Sequence, residues 1–207
     1  PDYLKPFKPD ISLHGYQARA LDQIAAEFDR DGKRKFLLEM ATGTGKTLLC
    51  AALIRRFLVT RNAERVLFIV DRIELAKQTM EDFDVILRDY KPVIFKTARR
   101  TGDLIGSSVV IATIQSLLVD RRYREEFSPF YFDFIINDEA HHAYRQRAEV
   151  KVSKKEAEDL GIDLEEATRW IEGLDRIHKM RRIGRCFDLS ATPFAPSGKT
   201  STESALF

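Results

Sequence analysis

Apolar residues follow two distinct patterns along the chain. Continuous runs occur at Phe36-Leu37-Leu38, Val66 to Val70 and Val109 to Ala112 after Ser108, and Phe132 to Ile136 is apolar but for Asp133. A shorter run lies at Val93-Ile94-Phe95, and Phe187-Asp188-Leu189-Ser190 reads as the last strand. Runs without polar alternation predict strands buried on both faces, the habit of parallel sheets. Between them the spacing is helical. Ala20, Leu21, Ile24, Ala25 and Phe28 share one face of a helix expected from Ala18 to Phe28, and further helices are expected over Leu48 to Leu58 and Ile73 to about Leu87. Strands alternating with helices predict an α/β fold with a doubly wound, mostly parallel sheet.

The ends and one interior stretch break the alternation. Pro1, Pro6 and Pro9 mark residues 1–12 as an extended lead-in. Residues 144–185 read as a helical insertion. There a capping box at Ser153-Lys154-Lys155-Glu156 opens one short helix that stops at Gly161. Asp163 caps a second helix carrying Leu164, Ala167, Ile171, Leu174 and His178 on one face. Packing of this insertion on the sheet is the favoured reading, with a partner-docking arm as the sharper alternative. Residues 13–194 make one domain in this reading, and 195–207 a linker.

Composition narrows the class without naming it. At 207 residues and 44% hydrophobic content the chain can bury one core. Its 34 basic and 32 acidic residues leave a net charge of only +2, so any basic surface must come from local clustering. Cys50 and Cys186 stand far apart in apolar settings and suggest buried thiols in a reducing compartment. No run reaches membrane-spanning length and no signal-peptide pattern opens the chain, so a cytoplasmic protein with no membrane partner is expected.

Two stretches carry chemistry. Met40 to Thr47 reads M-A-T-G-T-G-K-T, between an expected strand and an expected helix. Gly43 and Gly45 let the backbone turn its N–H groups toward phosphate oxygens, and the helix N-terminus adds positive potential. The Lys46 ammonium can reach the β- and γ-phosphates of ATP, and the Thr47 hydroxyl can ligate Mg²⁺. Met40 occupies the place of the first glycine in the strict motif. The second stretch, Ile135-Ile136-Asn137-Asp138-Glu139, ends an apolar strand in adjacent carboxylates. At the carboxyl edge of a parallel sheet, Asp138 can hold Mg²⁺ and Glu139 can deprotonate an attacking water. The bland alternatives are a plain glycine turn and a solvated helix cap. Each loses weight because the two stretches answer one another. For Gln17, spacing alone favours an ordinary cap or surface residue. Ser197-Gly198-Lys199-Thr200 lacks a preceding strand and is set aside as a decoy. The His141-His142 pair has no third ligand at zinc spacing.

The ordered motifs resemble the first RecA-like domain of superfamily 2 DEAD/DEAH-box-type helicases and translocases. They run Tyr16-Gln17, A-T-G-T-G-K-T, D-R-I-E-L-A-K-Q (Asp71 to Gln78), A-T-I-Q-S-L (Ala112 to Leu117), N-D-E-A-H-H (Asn137 to His142) and L-S-A-T-P-F (Leu189 to Phe194). The D-R-x-E-L-A-x-Q and D-E-A-H-H forms look most like the motor subunits of type I and type III restriction enzymes. The resemblance implies a P-loop ATPase that uses ATP and Mg²⁺. In it Thr42, Gly43, Thr44, Gly45, Lys46 and Thr47 match the phosphate loop, and Gln17 matches the residue that reads adenine. Asp138 and Glu139 match the Mg²⁺ and water-activating acids. His141, Ser190 and Thr192 match residues coupling nucleotide state to the track. Arg72, Thr113, Gln115 and Ser116 match loops touching the nucleic-acid backbone.

The resemblance further implies DNA rather than RNA as the track, restriction-modification subunits as possible partners, and a second RecA-like domain beyond residue 207. That domain would bring an arginine finger worth on the order of 10³–10⁵ in rate, so residues 1–207 alone are expected to turn ATP over very slowly. Two other classes use the same loop: a nucleotide-gated recognition module signalling through 144–185, and a P-loop kinase with a small acceptor pocket.

Overall fold

The computed structural model describes residues 12–33, 35–41, 43–119, 125–128, 131–138, 186–190 and 205–206. The expected insertion, with its two helices, lies outside them.

Seven strands form one sheet in the order β3-β4-β2-β5-β6-β1-β7, and every pairing is parallel. In chain order they are β1 (Lys35–Glu39), β2 (Val66–Val70), β3 (Val93–Ile94), β4 (Val109–Thr113), β5 (Phe134–Asn137), β6 (Cys186–Ser190) and β7 (Ala205–Leu206). Among the described residues the α-helices that accompany them are α1 (Gly15–Arg30), α2 (Lys46–Val59), α3 (Ile73–Ile86), α4 (Phe95–Thr101) and α5 (Ile114–Leu118). A 3₁₀ turn, Arg88–Tyr90, leads into β3.

The continuous apolar runs are strands because both faces of the sheet are covered. On one face Phe36, Phe68, Val109, Phe134 and Ile136 pack with α1, α2 and α3 through Leu21, Ile24, Leu53, Ile54 and Phe83. On the other, Leu67, Ile69, Val110 and Ile135 pack with α4 and α5 through Phe95, Ala98, Ile114 and Leu117. The doubly wound, mostly parallel α/β expectation holds. Each buried strand position contributes roughly 1.5–3 kcal/mol of burial, which makes the central strands the hardest part of the chain to open.

Three local outcomes differ from the sequence reading. Phe95 does not extend β3 but opens α4, because its ring belongs to the second core against Phe127 at 5.3 Å. The helix after the lead-in starts at Gly15, three residues early, where Gln17 accepts the His14 N–H at 2.8 Å and satisfies the helix entry. Ala205–Leu206, in the stretch read as a linker, pair in parallel with Phe36 and Leu37 as an edge strand. No helix among the described residues is long and apolar enough to cross a membrane.

The topology sets where a ligand can sit. All strands run the same way, so their carboxyl ends share one edge. β1 and β5 are separated only by β6, and β6 is in register with both: Leu37 lies level with Asp188, and Asp188 with Asn137. The residues just after β1 and β5 therefore emerge on one edge, two strand spacings apart, about 9–10 Å.

Candidate functional site

The turn after β1 is built by its glycines. Gly43 (φ +79°) and Gly45 (φ +76°) both adopt the left-handed conformation, and Gly45 caps α2. Thr44 ties the turn to itself, its hydroxyl donating to the Ala41 carbonyl at 2.7 Å. At Gly45 a side chain is excluded twice over: a Cβ there would stand 2.7 Å from the Gln17 Nε2. The loop thus needs glycine for its backbone and for close approach of a side chain from α1.

That close approach defines the role of Gln17 in this structure. Gln17 is fully buried, and its Nε2 donates to the Thr44 carbonyl at 3.3 Å and the Gly45 carbonyl at 3.2 Å. Its Oε1 is taken by the His14 N–H. Tyr16 adds a bond from its hydroxyl to the Thr44 carbonyl at 2.6 Å, with its ring stacked on His14 at 5.5 Å. Gln17 and Tyr16 anchor the loop from behind. Adenine recognition through the Gln17 amide would exchange these bonds for bonds to the base.

The acidic end of β5 is held by β2. The Asp138 N–H donates to the Ile69 carbonyl at 2.8 Å, carrying the ladder one residue past Asn137. Asp138 is half-buried. Cys50, in the second turn of α2, reports what surrounds it. Burial pushes the Cys50 thiol well above its ordinary range, the Asp138 carboxylate pushes it further, and the Lys46 ammonium pulls it back.

The remaining candidates are placed unevenly. Thr47 sits half-buried in the first turn of α2. Arg72 caps α3, exposed, its Nε 3.4 Å from Asp71 Oδ2. Asp71 Oδ1 is buried without a hydrogen bond among the described residues. Thr113 is buried and caps α5, accepting the Ser116 N–H at 3.2 Å, while the Ser116 hydroxyl donates to the Thr113 carbonyl at 2.8 Å. Those two hydroxyls close the cap, and Gln115 is the exposed member of the group. Ser190 ends β6 level with Glu39 of β1. Thr42, Glu139, His141 and Thr192 lie outside the described residues. Sequence reasoning missed the anchoring by Tyr16; the exposed aromatic beside Gln17 was its only trace.

Among the described residues no cluster of three or more His, Cys, Asp or Glu could hold a metal. Mg²⁺ asks for less. It keeps several waters and commonly takes one or two protein oxygens plus substrate phosphates. A hydroxyl beside the phosphate loop and a half-buried carboxylate at the same sheet edge fit that donor set.

A family model described as the type III restriction enzyme, res subunit, matches residues 10–195. The chain belongs to that family. The Escherichia coli K12 type I restriction enzyme EcoKI endonuclease subunit is 33% identical over 144 residues, covering 67% of this chain and 12% of its own length. The Escherichia coli EcoAI endonuclease subunit is 28% identical over 193 residues, covering 91% and 20%. The chain thus spans a fifth or less of these relatives. The Sulfolobus solfataricus SWI2/SNF2 ATPase core in complex with dsDNA superposes with a TM-score of 0.62 at 18% identity, over 92% of this chain and 34% of that one. At that identity the likeness concerns the fold alone, a parallel α/β sheet flanked by helices.

Proposed function

We propose that this chain is the ATP-binding half of a nucleic-acid-dependent ATPase motor of the restriction type, working on DNA. What supports the reading is the topology: β1, which leads into the glycine loop and Lys46, and β5, which leads into Asp138, flank β6 in one parallel sheet, so both segments leave the same edge. The family relatives are restriction endonuclease subunits, and the structural neighbour is an ATPase core complexed with dsDNA.

In this mechanism the loop N–H groups and the start of α2 hold the β- and γ-phosphates, and Lys46 offsets their charge. Thr47 and Asp138 would hold Mg²⁺, which supplies charge neutralisation at the γ-phosphate when bound. Glu139, the residue after Asp138, takes the proton of the water that attacks the γ-phosphorus as the bond to the ADP oxygen breaks. Gln17 couples base and phosphate recognition, because its amide faces the loop carbonyls. A second RecA-like domain closes over the nucleotide and converts turnover into steps along the strand.

The test is DNA-stimulated ATP hydrolysis by the whole protein. Glu139→Gln should leave nucleotide affinity intact and lower the rate by about 10²–10⁴-fold, the usual contribution of a general base. Wild-type-like hydrolysis by that variant removes Glu139 as the base. A wild-type protein that never hydrolyses ATP with any nucleic acid removes the motor reading.

A further inference from the structure

The peptide bond between Thr44 and Gly45 is held from one side. Its carbonyl oxygen accepts the Tyr16 hydroxyl at 2.6 Å and the Gln17 Nε2 at 3.3 Å, both from the first turn of α1. Its N–H, on Gly45, has no acceptor among the described residues. A trans peptide is planar, so its two polar groups point in opposite directions. Holding the carbonyl toward α1 therefore aims the Gly45 N–H away from α1. Gly45 is the N-cap of α2, so this donor joins the first-turn donors that a helix leaves without intrahelical partners. That is where a phosphate binds a helix N-terminus.

The peptide would not keep this orientation unaided. Gly43 and Gly45, on either side of Thr44, both stand at positive φ, and glycine crosses to negative φ at little cost. A rotated Thr44–Gly45 peptide would set its carbonyl oxygen against a phosphate oxygen. The two donors from α1 resist that rotation unequally. The Gln17 Nε2 is divided between two carbonyls, at 3.2 and 3.3 Å, and the Gly45 carbonyl also accepts the Leu49 N–H at 3.0 Å. The Tyr16 hydroxyl has the Thr44 carbonyl alone, at the shorter distance. The Tyr16 ring belongs to neither core and is 44% exposed, with its face on His14. Burial therefore does not account for where the ring sits, and its bond to the loop does.

We infer that Tyr16 is a positioning residue for phosphate: its hydroxyl fixes the Thr44–Gly45 peptide so that the Gly45 N–H meets a phosphate oxygen of the nucleotide. The inference rests on the proposed function and adds to it the residue that prepares one donor of the loop in advance. The effect belongs to the phosphates and is blind to the base.

Tyr16→Phe keeps the ring and removes the hydroxyl. Displacement of a fluorescent ATP analogue from the whole protein, in the presence of Mg²⁺, by ATP, GTP and inorganic tripolyphosphate measures three affinities for the wild type and the variant. Loss of one hydrogen bond should weaken ATP and tripolyphosphate by the same factor, about two- to tenfold, with the ratio of ATP to GTP affinity unchanged. In DNA-stimulated hydrolysis that factor should appear as a rise in KM that carries most of the fall in kcat/KM. Urea denaturation followed by circular dichroism should show the variant folded under the assay conditions; unfolding there would make Tyr16 a structural residue and overturn the inference. If ATP binding weakens and tripolyphosphate binding does not, Tyr16 acts on the base and the inference is wrong. If neither weakens, the hydroxyl holds nothing that the phosphates use, and the inference is again wrong. The proposed function stands in both cases. A wild-type protein that binds none of the three ligands overturns the proposed function together with the inference.

Discussion

Replacing Gly45 with Ala tests the anchoring of the phosphate loop. The left-handed backbone alone makes Ala cost about 1–2 kcal/mol. The new Cβ also lands 2.7 Å from Gln17 Nε2, and ordinary contact begins at 3.4 Å. Withdrawing the amide that far takes its bonds of 3.2 and 3.3 Å to the Gly45 and Thr44 carbonyls out of range. Each lost bond costs about 0.5–1.5 kcal/mol net. The total for Gly45→Ala is about 2–5 kcal/mol. Gly43 has the same backbone conformation and open space around it, so Gly43→Ala should cost only the strain, about 1–2 kcal/mol. Urea denaturation followed by circular dichroism measures both. The decisive arm is a double-mutant cycle with Gln17→Ala, in which Gly45→Ala should fall to the Gly43→Ala value. An unchanged Gly45→Ala penalty without the Gln17 side chain would refute the close approach.

Two further outcomes follow from the packing. Cys50 is buried and its thiol is held well above the ordinary range, so at pH 8 it stays protonated; iodoacetamide should leave it unmodified in the folded protein and alkylate it in urea, read by peptide mass spectrometry. Phe83 is fully buried against Phe68 at 5.1 Å, and Phe83→Ala should cost about 3–5 kcal/mol in urea melts; a loss under 1 kcal/mol would mean α3 does not seal that face.

The central strands were legible because burial on both faces removes polar residues from them: Val66–Val70 and Val109–Ala112 leave little else to be. α4 was hidden because Phe95 follows two β-branched residues, and one turn carrying only Phe95 and Ala98 inside shows no period. α5 is too short to show one. The loop and the acidic pair were visible as local strings. That β1 and β5 end on one edge with only β6 between them is a matter of strand order, which leaves no mark on local pattern. The anchoring of the loop by Gln17 was invisible for a related reason. Its acceptors are main-chain carbonyls of Thr44 and Gly45, which any residue type supplies. Spacing therefore left Gln17 as a surface or capping residue; it does cap α1 through the His14 N–H, but it is buried and its Nε2 holds the loop.

Affinity for a fluorescent ATP analogue, titrated with and without Mg²⁺ on the wild type, Asp138→Asn and Lys46→Ala, tests most directly whether the loop and the acid share one ligand. The shared site predicts that Mg²⁺ tightens wild-type binding, that Asp138→Asn keeps Mg²⁺-free binding but loses the Mg²⁺ response, and that Lys46→Ala weakens both. A Mg²⁺ response in Asp138→Asn equal to the wild type would contradict it.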